Sequence, residues 1–136
     1  MKESNKEIIE ETLDEINDSL KDPKGIIKHQ RRLILLISLG TASLMESYLE
    51  KINALKPGGK INHQWLKKKK DNAKKLIEKQ IISPVENIKI DLLLDIAYKL
   101  EEKRNQLAYG KRATEKELKE KINLFLDLKK EVEKDG

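Results

Sequence analysis

A chain of 136 residues is long enough for one domain with a hydrophobic core, and we expect residues 1–136 to fold as a single unit. The absence of cysteine excludes disulfide bonds, thiolate catalysis and cysteine-based zinc sites. Charged residues make up 39% of the chain and aromatic residues 4%, a balance that is typical of long surface helices with many opposite-charge pairs and common in thermophiles. The net charge of +5 permits contact with nucleic acid.

The amino-terminal region predicts a helix followed by a reversal of the chain. Its first residues alternate in charge and contain no apolar segment of the signal-peptide type, so we expect a soluble, cytoplasmic protein. Ser4 and Glu7 have the spacing of a capping box, and apolar residues recur at helical spacing as far as Leu20. The turn residues at 22–25 then end this first predicted helix.

The second predicted helix is long and covers residues 26–55. Its middle, residues 33–39, is apolar on nearly all sides and should lie at the centre of the bundle or in a subunit interface. Small residues at 40–43 would let another element approach closely. The stretch is too short and too interrupted by polar atoms to span a bilayer. Together with the later helices it offers more apolar surface than one monomer should bury, which predicts a homodimer.

Three further helices complete the prediction. Asn62 can cap the third, and residues 83–86 give the strongest start signal, for the fourth, because a cap, a proline and a capping-box acid coincide there. The fourth helix should end near Tyr109, with Gly110 as a left-handed cap. A capping box at Thr114 begins the fifth. The expected fold is all-α, a five-helix antiparallel bundle with a long second helix.

The end of the fourth predicted helix carries a recognisable pattern. Residues 102–110 read Glu-Lys-Arg-Asn-Gln-Leu-Ala-Tyr-Gly, and they resemble the signature of the HEPN superfamily of helical-bundle proteins. Arg104 and Asn105 match the arginine and the polar residue of that signature, whereas Tyr109 stands where histidine is usual. The resemblance implies a HEPN-like bundle and metal-independent RNA cleavage across a dimer interface, in a toxin–antitoxin or defence system, or binding without cleavage.

The predicted catalytic set is Arg104, Asn105 and Tyr109. The donor fork of Arg104 suits a phosphate whose negative charge grows in the transition state. Tyrosine titrates near ~10 and is a poor base at neutral pH, but it can contact phosphate or stack on a base, so a Tyr109→His change should create or raise cleavage. On a continuous helix positions 104 and 109 lie roughly 140° apart, so their convergence requires unwinding at Tyr109. The alternative is an exposed arginine at a helix end, with the tyrosine packed under the loop.

Two basic segments are candidates for contact with nucleic acid. One lies on the third predicted helix beside Trp65, and the other follows the motif. The predicted nucleic-acid-binding residues are Lys67, Lys68, Lys69, Lys70, Lys111 and Arg112. Because a helix distributes four consecutive lysines around most of its circumference, a solvated face is the alternative interpretation of the first segment.

Other polar residues predict no catalytic or metal site. His29 and His63 are the only histidines, neither has the spacing of a metal site, and both are expected at the surface, as is Glu46. No cofactor is predicted. The sequence therefore favours a HEPN-like protein that binds RNA or a partner protein, with ribonuclease activity weakened or lost. The alternatives are a non-catalytic helical partner of a small nucleotidyltransferase and a dimeric interaction scaffold.

Overall fold

The computed structural model describes residues 1–84 and 89–134, and over these ranges the chain contains helices and no β-strand. An isolated bridge between Leu55 and Ile81 joins two loops. The predicted all-α class is confirmed. In chain order the elements are α1 (Glu3–Lys21), a 3-10 helix (Ile26–His29), α2 (Gln30–Lys51), α3 (His63–Leu66), α4 (Lys70–Glu78), α5 (Ile90–Glu101), α6 (Arg104–Tyr109) and α7 (Glu115–Glu133).

Helix α2 lies at the centre of the bundle because most of its circumference is apolar or small. It packs against α1, α5, α6 and α7, and Leu33, Ile34 and Ile37 are buried. The apolar stretch that predicted a dimer is thus covered largely by its own chain. Leu39, at the end of this stretch, keeps 41% of its surface exposed.

Gly40 is the point of closest approach between α2 and its neighbours. A Cβ atom built at this position would lie 2.8 Å from Thr12 Oγ1 and 2.9 Å from Phe125 Cε1. These side chains come from α1 and α7, so the missing side chain of Gly40 lets both helices pack tightly on α2. The expectation of a close approach at residues 40–43 is confirmed here.

The apolar segment Ile26–Lys51 is long and apolar enough to cross a membrane by length and composition, so the expectation that it is too short and too polar was wrong. Its burial is more informative than its length. In the most apolar window, 78% of the residues are buried inside the fold, as they are in the core helix of a soluble protein. The fold is therefore compatible with a soluble protein.

The start of α1 differs from the prediction. The helix begins at Glu3, and its N-cap residue Lys2 makes no side-chain capping hydrogen bond. Ser4 and Glu7 lie within the helix, so the capping box predicted for them was wrong. Tertiary contacts hold this end of the chain in place of a local cap.

Glu46 provides several of those contacts. It was expected at the surface, yet only 7% of it is exposed. Its carboxylate accepts hydrogen bonds from Asn5 Nδ2 at 2.6 Å, from Lys2 Nζ at 3.1 Å and from the backbone N–H of Ile61 at 2.8 Å. A buried carboxylate is tolerated when donors surround it, and here it ties α1 and the loop before α3 to α2.

The second and third predicted helices are both interrupted. The second starts as a 3-10 turn and ends at Lys51, four residues early, with Asn53 in the left-handed region at φ 58°. The third begins as predicted, because Asn62 Oδ1 accepts a hydrogen bond from the N–H of Gln64 at 2.8 Å. It stops after one turn, and residues 67–69 form a loop before α4 begins at Lys70.

The fourth predicted helix is also broken. Part of its start signal, at residues 85–86, lies outside the described residues together with the apolar positions 85 and 88 predicted for its face. The described helix α5 begins at Ile90 and ends at Glu101. Lys103 then takes a left-handed conformation at φ 60°, which separates α5 from α6.

Lys121 on α7 stabilises the break between α5 and α6. Its ammonium group donates hydrogen bonds to the carbonyl oxygens of Lys99 at 2.6 Å, Leu100 at 3.2 Å and Glu102 at 2.8 Å. The last carbonyl groups of a helix lack partners within the helix, and a cation satisfies them well. The end of α5 is therefore fixed by a residue 19 to 22 positions away from the carbonyl groups that it binds, which a local sequence pattern does not reveal.

The end of α6 is held by a side chain of α2. Gly110 has φ −150°, so the left-handed cap predicted for it was wrong. Gln30 Nε2 donates to the carbonyl oxygens of Leu107 at 2.8 Å and Lys111 at 2.7 Å, and Gln30 Oε1 accepts from the N–H of Ala113 at 2.9 Å. One buried amide thus holds the turn that follows the motif.

Helix α7 matches its prediction most closely. Thr114 Oγ1 accepts from the N–H of Glu117, and the Glu117 carboxylate accepts from the N–H of Thr114, so the capping box is confirmed. The predicted apolar face is buried along its length: Leu118, Ile122, Phe125, Leu128 and Val132.

Candidate functional site

A cluster of polar side chains converges on Ser38, in the middle of α2. Ser38 Oγ accepts a hydrogen bond from Arg104 Nε at 2.9 Å and donates one to Glu101 Oε1 at 2.7 Å. His63 Nδ1 lies 3.2 Å from the same oxygen. We call Ser38, His63, Glu101 and Arg104 the Ser38 cluster. It joins α2, α3, α5 and α6, because the break after Glu101 turns the arginine back toward α2.

Arg104 and Asn105, the two residues on which the resemblance to HEPN proteins was based, lie together at the edge of this cluster. Arg104 Nη1 donates to Asn105 Oδ1 at 2.9 Å. Asn105 is exposed and Arg104 partly exposed, whereas Ser38 retains 2% of its surface. The guanidinium group is therefore fixed from the inside while one side of it faces solvent.

Burial controls the protonation of the two acid–base groups in the Ser38 cluster. Glu101 is 4% exposed, and burial raises the pKa of its carboxyl against smaller opposing effects from Ser38 and Arg104. Its Oε2 atom is buried and has no hydrogen-bond partner among the described residues. Burial, followed by the positive charges of Arg104 and Lys67, lowers the pKa of His63. His63 is therefore neutral at pH 7.

The hydrogen bonds also indicate which nitrogen of His63 is free. With the Ser38 hydroxyl donating to Glu101, His63 Nδ1–H is the donor in its contact with Ser38. His63 Nε2 makes no hydrogen bond with any described residue, and its ring lines a groove of about 630 Å³ beside Ala42 and Trp65. His63 was expected at the surface, but it is partly buried and shares a hydroxyl with the motif arginine.

Tyr109 lies in a different groove. Helix α6 is regular as far as Tyr109, so the unwinding that convergence with Arg104 required does not occur. Tyr109 is 68% exposed and lines a depression of about 330 Å³ whose lining does not include Arg104. Arg104 and Asn105 are thus brought together, and Tyr109 is separated from them.

The depression around Tyr109 is strongly basic. Lys28, Arg31, Lys111 and Arg112 line it, all four are exposed, and none of them forms an ion pair with a carboxylate in the described part of the chain. We call these four cations with Tyr109 the Tyr109 groove. The groove keeps its shape because Arg31 Nε donates to the carbonyl of Ala108 at 3.1 Å and Gln30 holds the following turn.

The lysines at 67–70 are not distributed around a helix. Lys67, Lys68 and Lys69 form the exposed loop between α3 and α4, whereas Lys70 begins α4 and pairs with Asp95 at 3.0 Å. Lys68 and Lys69 border a groove that also contains carboxylates, Asp95 among them. Trp65 is partly buried and packs against the core.

The other histidine, His29, has a different environment. It was expected at the surface, but only 8% of it is exposed. Its Nδ1 lies 2.7 Å from Glu15 Oε1 and its Nε2 lies 2.7 Å from Asp22 Oδ2. These two hydrogen bonds raise the pKa of His29 and clamp α1 to the start of α2. In the described part of the chain, no group of three or more His, Asp or Glu side chains is arranged to hold a metal ion.

Comparisons with known proteins identify no relative. No protein-family model matches the chain, and neither a curated protein nor a solved structure matches it. The HEPN resemblance therefore rests on the motif residues and remains a prediction.

Proposed function

We propose that this chain is a HEPN-like cytoplasmic protein that binds single-stranded RNA in the Tyr109 groove. The observation that supports the proposal most directly is the set of four exposed cations, unpaired within the described residues, around one exposed aromatic ring. Single-stranded nucleic acids are bound by this combination, because cations neutralise the phosphates while bases stack on aromatic side chains.

The Tyr109 groove is a better candidate than the lysine loop at residues 67–69. Among the described residues its lining contains no carboxylate, whereas the groove beside Lys68 and Lys69 includes Asp95 and Glu102, which repel phosphate. Its backbone is also held from inside by Gln30, so binding requires little ordering of the chain. The lysine loop then serves as a secondary contact.

We further propose that the protein is a weak, metal-independent endoribonuclease of a toxin–antitoxin or defence system. Arg104 supports this proposal, because a partly exposed guanidinium held by Ser38 and Asn105 is fixed in a geometry suited to phosphate. Tyr109 lies outside the Ser38 cluster, so the motif itself places no base beside Arg104, and we expect the activity to be weak.

Charge reversal tests the binding site. A fluorescein-labelled single-stranded RNA of mixed sequence is titrated with protein, and anisotropy gives Kd at several salt concentrations. We expect Lys111→Glu with Arg112→Glu to weaken binding at least about tenfold and to reduce the salt dependence, because two phosphate contacts become repulsive. Tyr109→Ala should weaken it by about 1–3 kcal/mol for each stacked base.

Two other double variants complete this test. Lys6→Glu with Lys79→Glu changes the charge equally at exposed positions that line no described groove, and it should have a much smaller effect. Lys68→Glu with Lys69→Glu should weaken binding of all sequences alike, but less than the groove variant. Binding that is absent, insensitive to salt, or lost only through the lysine-loop variant contradicts the proposed site.

A further inference from the structure

We infer that His63, a residue outside the motif, is the general base that acts with Arg104 on RNA in this protein. This inference rests on the proposed function and adds to it a catalytic residue together with the bond it acts on. The reacting nucleotide would lie outside the Tyr109 groove, on the same RNA strand, with its 2′-hydroxyl facing His63 Nε2 and its adjacent phosphate on Arg104.

The first support is the shared position of the two side chains. His63 Nδ1 and Arg104 Nε both lie within hydrogen-bonding distance of a single atom, Ser38 Oγ, at 3.2 and 2.9 Å. The imidazole and the guanidinium are therefore neighbours across one oxygen, although 41 positions separate them in the sequence. A general base must lie within reach of the proton that it removes, and the shared hydroxyl places His63 beside the proposed phosphate site on Arg104.

The second support is the orientation of the imidazole. The contacts from His63 to Ser38 and from Ser38 to Glu101 hold the ring, and with Ser38 donating to Glu101 the lone pair of His63 lies on Nε2. A buried carboxyl group that orients a histidine from behind is a recurring arrangement for a base. Here the Ser38 hydroxyl connects the Glu101 carboxyl to the His63 imidazole. A role in orienting the base explains why a polar cluster lies in the middle of the core helix.

The charges around His63 keep its lone pair available. The charged or titratable groups that face it are Arg104 from α6, Glu101 from α5 and Lys67 from the loop after α3, and Lys60 lines the same groove. Burial, Arg104 and Lys67 lower the pKa of His63, so the neutral form predominates near pH 7. The same cations favour a bound phosphate.

Arg104 retains donors for that phosphate. Its Nε is used by Ser38 and one hydrogen of Nη1 by Asn105, whereas Nη2 donates to no described residue. A guanidinium has five N–H groups, so at least two remain for the phosphate oxygens. As charge builds on these oxygens during attack, the fixed donors bind more strongly.

The reaction that follows is an internal transesterification. His63 Nε2 takes the proton of the 2′-hydroxyl, the 2′-oxygen forms a bond to the adjacent phosphorus, and the bond from phosphorus to the 5′-oxygen breaks. The leaving 5′-oxygen takes a proton from water, and the imidazolium returns its proton to the resulting hydroxide. The products are a 2′,3′-cyclic phosphate and a 5′-hydroxyl end, and no metal or other co-reactant is needed.

The test measures cleavage and binding on the same RNA in the presence of EDTA. We expect slow cleavage by the wild type and no cleavage of the corresponding DNA, which lacks the 2′-hydroxyl. His63→Gln should lower kcat about 100-fold with Kd unchanged, and it should abolish the rise in rate as pH passes through a pKa below the ordinary histidine value. His29→Gln, which changes the chain's other histidine, should leave kcat unaltered in every preparation that circular dichroism shows to be folded.

The outcomes separate this inference from the proposed function. RNA binding without cleavage, or equal kcat for the wild type and for both His63→Gln and His63→Asn, overturns the inference and leaves RNA binding intact. Failure of the wild type to bind RNA overturns the proposed function itself. A rise in rate from Tyr109→His, with no loss from His63→Gln, assigns the base to the motif position and also overturns the inference.

Discussion

His29 is held between two carboxylates, and each of its ring nitrogens faces one of them. Both nitrogens can donate only when the ring is protonated, so the folded state favours the imidazolium. The pKa of His29 is raised for this reason, chiefly by the hydrogen bond to Glu15 and then by that to Asp22, while the pKa values of both carboxyls are lowered. The contacts of His29 with Glu15 and Asp22 therefore stabilise the fold only at pH values where the imidazole is protonated.

The sign of that contribution gives a prediction. A raised folded-state pKa stabilises the protein fully below the unfolded value of about 6.5, and this stability is lost as pH rises through the folded value. We expect the urea midpoint of the wild type to fall over that range and the midpoint of His29→Gln to stay nearly constant. His63→Gln is the control, because the pKa of His63 is lowered and its variant should keep the His29-dependent fall. Equal slopes for the wild type and His29→Gln contradict the assignment.

At the residue scale, the candidate site could be predicted only in part. Arg104 and Asn105 are recognisable because a short motif is local. His63 has a local signal for its helix, the Asn62 cap, but no local signal for its contact with Ser38, which is 25 positions away. Glu46 was missed for the same reason, since its donors come from α1 and from the loop before α3.

At the scale of elements, helices with local start signals and a regular apolar period were predicted best. Helix α7 has both, because Thr114 and Glu117 form a capping box and the buried positions follow one stripe. The interruption between α5 and α6 was missed for two reasons. Lysine seldom adopts the positive φ that Lys103 has, and the carbonyl groups at the end of α5 are bound by the distant Lys121.

The packing of α1 and α7 on α2 predicts the effect of a single methyl group at Gly40. Alanine is ordinarily favoured over glycine in a helix by about 1 kcal/mol. At Gly40 the added Cβ would lie 2.8 Å from Thr12 Oγ1, so we expect Gly40→Ala to lower the free energy of unfolding by about 1–3 kcal/mol in urea titrations.

Gly110→Ala is the matched control for Gly40→Ala. The Cβ added at Gly110 would meet no heavy atom closer than Gln106 O, at 3.8 Å, and the φ of Gly110 is negative. We expect little loss of stability from this change. A Gly40→Ala protein as stable as the wild type contradicts the close approach of the three helices.

At the scale of the whole molecule, we propose that the protein is a homodimer. Leu39 is 41% exposed on α2, so apolar surface remains on the outside of the core helix. Sedimentation equilibrium at micromolar concentration should give twice the chain mass of 15.8 kDa, and Leu39→Glu should shift it toward the single mass. Leu20→Glu, at another exposed leucine on α1, should not. A wild-type mass near 15.8 kDa contradicts the dimer.

The position of helix α6 is set by side chains from other helices and not by its own side chains. Six residues are too few for a stable isolated helix, and the segment is held by Gln30 in its last turn and just beyond it, and by Lys121 at the turn before it. Both side chains donate hydrogen bonds to backbone carbonyl groups, which every residue type has. Exposed positions such as Asn105 and Tyr109 can therefore be exchanged without moving the backbone, so α6 is a segment onto which other recognition residues can be grafted while the bundle stays as it is.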